Sequence, residues 1–203
     1  MSPITELIGG AKAYGWGSIS AGIPAFESIA TVTVGSGGAS NIEFTSIPAT
    51  YQHLEIRGIL RDNRSIGSNI WWSDLFVEMG NGSIDTGSNY NMHRIWGDGG
   101  SVSSSDSISQ TKVNWWECVP NTQYIAANIF NTTVISILDY ANTNKYKTIR
   151  GLMGFDSNTV QSRIQFGSGL WRSTSAVTNI RISTSATLQQ YSQLALYGIK
   201  GAA

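Results

Sequence analysis

One cysteine, two histidines and four prolines are all that 203 residues hold of those types. A lone Cys118 closes no internal disulfide, which excludes a disulfide scaffold. Its neighbours Trp116, Glu117 and Val119 read as strand, so it is expected to be a buried, inert thiol. No cationic side chain stands beside it in sequence to activate it. His53 and His93 lie far apart and do not supply the three or four ligands of a structural zinc site. Asp85-Thr86-Gly87-Ser88-Asn89 has too few carboxylates for a calcium loop. No metal site and no cofactor is expected.

Charge is also scarce. Only 13% of residues are Asp, Glu, Lys or Arg, and the thirteen basic and thirteen acidic side chains cancel. There is no Lys/Arg block to release counterions from a nucleic acid, so no nucleic-acid partner is expected. Weak self-repulsion favours association, which suits a subunit of an assembly. No apolar run reaches the ~20 residues of a membrane span, so no membrane insertion is expected. The opening residues lack the basic start of a secretory signal. The chain is expected to stay in the cytosol where it is made, or to leave by a route such as lysis.

The carboxylates are scattered. Asp85, Asp98, Asp106 and Asp156 fall in turn-like stretches, and no spacing marks a pair that could flank a glycosidic bond. With no nucleophile and base in evident register either, the chain is not read as an enzyme.

The sequence does contain strands. Ile29, Thr31 and Thr33 alternate with Ala30, Val32 and Val34, and β-branched residues dominate. Gly35-Ser36-Gly37-Gly38 marks a turn, and Ile42 to Ile47 a short strand before Pro48. Further strands are expected over His53 to Leu60, Leu75 to Met79, Lys112 to Val119, Ile125 to Asn128 and Thr132 to Leu138. Others follow over Lys147 to Phe155, Gln161 to Phe166, Val177 to Ser183 and Gln193 to Ile199. Asn81-Gly82 is a hairpin dipeptide. Asp139-Tyr140-Ala141-Asn142-Thr143-Asn144-Lys145 makes another turn, because Asp and Asn bond their own backbone and tolerate left-handed conformations. Gly97 to Gln110, rich in Gly and Ser, reads as a long loop. No long helix and no internal repeat is evident. Strands every ten to fifteen residues give an all-β fold, a jelly-roll-like antiparallel β-sandwich.

Met1 to Ala25 differ from the rest. Ile4, Leu7 and Ile8 begin an amphipathic turn that Gly9-Gly10 interrupts. Tyr14, Trp16, Ile19 and Ile23 follow among further glycines. A segment that is apolar but poorly self-structured orders against another surface. Residues 1–25 are therefore read as an extended N-terminal anchoring arm, and 26–203 as the sandwich domain. Ile4, Leu7, Ile8, Tyr14, Trp16, Ile19 and Ile23 are the anchoring residues.

Seven tryptophans are many for this length. In Trp71-Trp72 and Trp115-Trp116, neighbours on a strand face opposite sides, so one of each pair can point outward. Core or subunit interface is the simpler use of such rings. Trp96, at the start of the Gly/Ser stretch, is the best candidate for exposed recognition, with Asp98, Trp71 and Trp115 beside it.

Six stretches in order carry a family resemblance. They are Tyr14-Gly15-Trp16-Gly17, Phe26-Glu27-Ser28-Ile29-Ala30-Thr31, and Phe44-Thr45-Ser46-Ile47-Pro48-Ala49-Thr50-Tyr51 with Leu54-Glu55-Ile56-Arg57. Then come Asp85-Thr86-Gly87-Ser88-Asn89-Tyr90, Leu138 to Thr148, and Leu194-Ala195-Leu196-Tyr197-Gly198-Ile199-Lys200-Gly201. In this order the chain resembles tailed-bacteriophage virion proteins of the tail-fibre-like or capsid-decoration kind. The resemblance extends over nearly the whole chain; the two Trp-Trp pairs are not part of it. It implies a place on the virion and supplies no catalytic residues.

Two functions are therefore expected. In the first, the chain is a capsid cement or decoration protein, a homo-oligomer and by analogy a trimer. It is assembled in the host cytoplasm and held by its arm on the major capsid protein or on tail and baseplate proteins. In the second it is a tail-fibre or baseplate-tip subunit that binds a host-surface glycan through Trp96 and the following stretch.

Overall fold

The computed structural model describes residues 25–65, 71–158 and 161–201. The expected arm, with Ile4, Leu7, Ile8, Tyr14, Trp16, Ile19 and Ile23, lies outside the described residues.

Thirteen strands account for the fold, and no helix occurs among the described residues. They are β1 Phe26–Thr33, β2 Ala39–Phe44, β3 His53–Leu60, β4 Trp72–Asn81, β5 Ser83–Ile84, β6 Tyr90–Gly97 and β7 Val102–Gln110. Then follow β8 Val113–Pro120, β9 Asn131–Leu138, β10 Lys147–Phe155, β11 Arg163–Trp171, β12 Asn179–Leu188 and β13 Gln193–Ile199. Eight strands form one sheet in the order β1-β13-β3-β9-β10-β11-β6-β7. The facing sheet runs β2-β12-β4, with β5 and β8 both pairing β4. All named strand pairs are antiparallel. This is the expected β-sandwich.

Alternation builds the core. Leu54 and Ile56, Ile135 and Ile137, Ile149, and Leu194 and Leu196 project from the large sheet. They meet Ile42, Phe44, Leu75, Val77, Met79, Ile180 and Ile182 from the smaller one. At about 25 cal/mol per Å² of apolar surface, this double layer is the main stabilising contribution. Trp115 of β8 lies across the floor of the large sheet, where Gly151 and Gly167 are directly paired. A Cβ at Gly151 would come within 2.7 Å of the Trp115 ring. Only glycine leaves room for the indole there.

Four of the six stretches that carry the family resemblance, those holding Glu27, Tyr51, Tyr140 and Gly198, meet at one corner. The Tyr51 ring fills the space a Cβ at Gly198 would need. Its hydroxyl donates to Glu27 Oε2 at 3.0 Å, and Lys200 Nζ lies 2.5 Å from Glu27 Oε1. The Tyr140 hydroxyl donates to the Pro48 carbonyl. These motifs thus clasp β1, β3 and β13 together at the end where the chain enters the domain.

The Asp139 turn forms as expected, with Asp139 at φ 48° and Asn142 N–H donating to its carbonyl at 3.0 Å. Buried Lys147 ties it down by donating to the carbonyls of Asn142 (2.6 Å), Lys145 (2.7 Å) and Thr174 (3.2 Å). Asn81-Gly82 also forms its turn, with Gly82 at φ 75°.

Two expectations are corrected. Gly97 to Gln110 is a short turn followed by β7, an edge strand paired along β6. Almost all of β7 is exposed on both faces, so it needs no apolar alternation and gives none. Ile125 to Asn128 is not a strand. Its carbonyls are satisfied by a side chain instead: Arg61 donates to Ile125, Ala126 and Ile129 at 2.6 to 2.8 Å.

Candidate functional site

At one end of the sandwich the inward positions stop being apolar. On β6 the series Tyr90, Met92 continues as Arg94, Trp96; on β11 the inward residues begin Arg163, Gln165. On the facing sheet Asp74 of β4 stands opposite Trp116, Glu117 and Cys118 of β8, because the register shifts between Ser73 and Leu75. Glu117 sits at φ 61°, a left-handed conformation that a side chain enters at a cost. Bulges re-aim side chains, and this one turns Trp116 across to the other sheet.

The result is a ladder of rings and guanidiniums. Arg94 lies 4.2 Å from the Trp96 ring and 4.3 Å from the Trp116 ring. Arg163 lies 4.2 Å from the Trp72 ring, and its Nη2 is 3.0 Å from Glu117 Oε2. Desolvated cation–π contacts contribute on the order of 2 kcal/mol. Asp74 Oδ1 accepts the Glu117 N–H at 3.0 Å, which fixes the bulge. Burial pushes the Asp74 carboxyl above the usual range, against that hydrogen bond. Burial also lowers Arg94, with Glu117 and Asp74 opposing. Two cations and two anions balance here.

A cleft of about 200 Å³ opens beside the ladder. Gly97, Asp98 and Gly99 form one wall, and Phe155, Asp156, Ser162, Arg163 and Ile164 the other. Asp98 Oδ1 accepts from Gly100 N–H (2.9 Å) and Ser101 N–H (2.8 Å), which hold its carboxyl below the usual range. Asp156 Oδ1 accepts from Asn158 N–H (2.8 Å) and the Ser162 hydroxyl (3.1 Å). A larger trough of about 450 Å³ adjoins it along Phe130, Thr132, Leu152 and Gly154.

The trough leads onto the outer face of the large sheet, where a row of side chains crosses five strands in register. Arg57 is followed by Val134, Leu152, Phe166 and Ile95. Leu152, Phe166 and Ile95 are each about half exposed. These directly paired side chains form an apolar strip on the solvent face of the sheet.

The expected recognition residues separate. Trp115 is fully buried over its glycines and is core, which corrects its assignment to a recognition surface. Trp71 stacks on Tyr124, with ring centroids 4.7 Å apart. Trp96 is half-buried, with the Arg94 guanidinium against its ring. Asp98 does reach a cleft, and there it meets Asp156, a pairing that sequence spacing did not reveal. Cys118 is buried, its hydrogen bonded to the Trp115 carbonyl at 3.2 Å, and burial pushes its thiol up.

Among the described residues, no group of three His, Cys, Asp or Glu is placed to hold a metal ion. No helix among them is long and apolar enough to cross a membrane. Comparison with protein-family models, with curated proteins and with solved structures finds no match.

Proposed function

We propose that this protein is a structural subunit of a tailed-bacteriophage virion. It works as a homo-oligomer, a capsid cement or decoration protein fastened to the particle through residues 1–25. The supporting observation is the outer row Val134, Leu152, Phe166 and Ile95. Its occupant is a second copy of the chain. Net formal charge is zero, so two such faces meet without long-range repulsion. Edge strand β7, next to Ile95, carries one charge, Asp106, and no proline or lysine to block pairing. The order of the resembling motifs supports the virion location. Cryo-electron microscopy of a particle carrying the protein tests both parts, by finding it on head or tail and by counting its copies per site.

A second reading, a tail-fibre or baseplate-tip subunit that binds a host glycan, is favoured by one observation: the cleft between Asp98 and Asp156.

A further inference from the structure

We propose that the outer face of the large sheet is self-complementary: two copies pack face to face about a twofold axis that runs along the strands, midway between β6 and β11. This rests on reading that face as a self-interface, and it adds the symmetry and the side chains that set the register.

Three rows of outward positions cross β10, β11, β6 and β7 in that order. The middle row is Leu152, Phe166, Ile95 and Ser104. On one side of it run Arg150, Ser168, His93 and Asp106, and on the other Gly154, Ile164, Gly97 and Val102. The twofold keeps each row in place and reverses its order, so β10 of one copy lies over β7 of the second, and β11 over β6. Arg150 then meets Asp106, twice by symmetry. Phe166 meets Ile95, both about half exposed. Val102, 72% exposed, meets Gly154, and Ile164, 63% exposed, meets Gly97. The glycines are hollows for these two knobs. Around Gly154 the hollow is the trough of about 450 Å³ bordered by Thr132, Leu152 and Ile164. Two twisted sheets fill the space between them by such interdigitation, with strand directions about 30° apart, an angle the twofold bisects.

Charge decides between the possible axes. Arg150 and Asp106 are both exposed, and among the described residues neither joins an ion pair. An axis midway between β10 and β11 would leave Arg150 over Ser168 and set Asp106 over Glu55, a like charge. A twofold running across the strands along the middle row would exchange the flanking rows, placing Arg150 over Gly154 and Asp106 over Val102. Complementary charge fixes register and rejects such alternatives. Asp106 is the one charge on β7, and this contact gives it a partner. Four strands about 4.8 Å apart, with rows about 7 Å apart, cover roughly 500 Å² on each copy. That is the small end of specific interfaces, so the dimer is weak and its register depends on complementarity more than on area. A twofold contact closes at two copies, so this face does not itself build the trimer expected by analogy.

The test is sedimentation velocity of the full chain at rising concentration, for the parent, Arg150→Asp, Asp106→Arg and an equimolar mixture of the two variants. The parent should form dimers. Each variant alone sets like charges face to face at both symmetry-related contacts and should weaken dimerisation about tenfold or more. Both side chains are exposed, so the melting temperature should not change. In the mixture one chain carries two acidic side chains at these positions and the other two basic ones, so a mixed dimer should form about as tightly as the parent's. A parent whose smallest oligomer is a trimer, variants that associate as the parent does, or a mixture no tighter than either variant alone overturns the twofold and leaves the self-interface reading standing. A parent that is monomeric at every accessible concentration removes both.

Discussion

Glu117 Oε2 and Arg163 Nη2 lie 3.0 Å apart, yet the two side chains differ sharply in exposure, 40% against 4%. The pair is therefore asymmetric. Removing the exposed partner strands a buried cation; removing the buried partner returns a carboxylate to water. Glu117→Ala should cost about 1–3 kcal/mol, reduced from a fully buried pair because solvent reaches the carboxylate. Arg163→Met keeps volume against Trp72 and should cost under about 1.5 kcal/mol. Urea titration of both variants and the double variant checks this. A larger loss for Arg163→Met would show that the ion pair, and not desolvation of the arginine, dominates.

Glycines at close contacts should behave unlike glycines in open turns. At Gly167 a Cβ would overlap the Trp115 indole, and at Gly198 the Tyr51 ring. Gly167→Ala and Gly198→Ala should each destabilise by about 1–3 kcal/mol, the usual range for overpacking. Gly37 has nothing within 4 Å of its would-be Cβ. Gly37→Ala should stay within about 0.5 kcal/mol of the parent. Chemical denaturation of the three variants side by side is the measurement, and equal losses would refute the packing account.

Stability should also report on buried Asp62. Burial raises its carboxyl above the usual value, against hydrogen bonds from Ser73 and the Arg64 N–H. The Ser73 hydroxyl donates to Oδ1 at 2.8 Å, while Oδ2 has no partner. An acid whose folded pKa is raised binds more protons folded than unfolded between the two values. Its contribution to stability therefore falls as pH rises through that window and is least favourable above it. Relative to Asp62→Asn, the parent should gain stability on going from pH 7 to about pH 4. Denaturation midpoints at the two pH values decide it; a difference that does not change with pH, or moves the other way, removes the argument.

What the sequence revealed follows from which strands have one dry face. β3, β9, β10 and β13 were legible because alternating apolar residues such as Leu54 and Ile56, Ile135 and Ile137, Ile149 and Met153, and Leu194 and Leu196 mark their inward faces. β6 was not, because its inward series ends in Arg94 and Trp96, a charge and a ring read as exposed, where an apolar alternation would have marked a strand. β7 has no dry face at all. The glycans' candidate cleft was hidden for a different reason. Asp98 and Asp156 belong to separate turns, and only the pairing of β11 with both β6 and β10 sets those turns side by side. Four of the six stretches of the resemblance contribute Glu27, Tyr51, Tyr140 and Gly198 to one clasp.

Assembly should depend on the outer row more than on the turn cleft. Leu152 and Phe166 are paired across β10 and β11 and about half exposed. Neither reaches the inner core from that face, so an aspartate there meets water in the monomer and an apolar partner in the oligomer. Desolvating an unpaired carboxylate in an interface costs several kcal/mol, enough to shift a dissociation constant by two or more orders of magnitude. Leu152→Asp and Phe166→Asp should therefore each give monomers of unchanged melting temperature by light scattering at concentrations where the parent is oligomeric. Deleting Ser2 to Ala25 should act on a different step, leaving the oligomer intact while abolishing attachment to the particle. A parent that is monomeric at every accessible concentration would remove the outer row as a self-interface. Full attachment of the truncated chain would remove the arm.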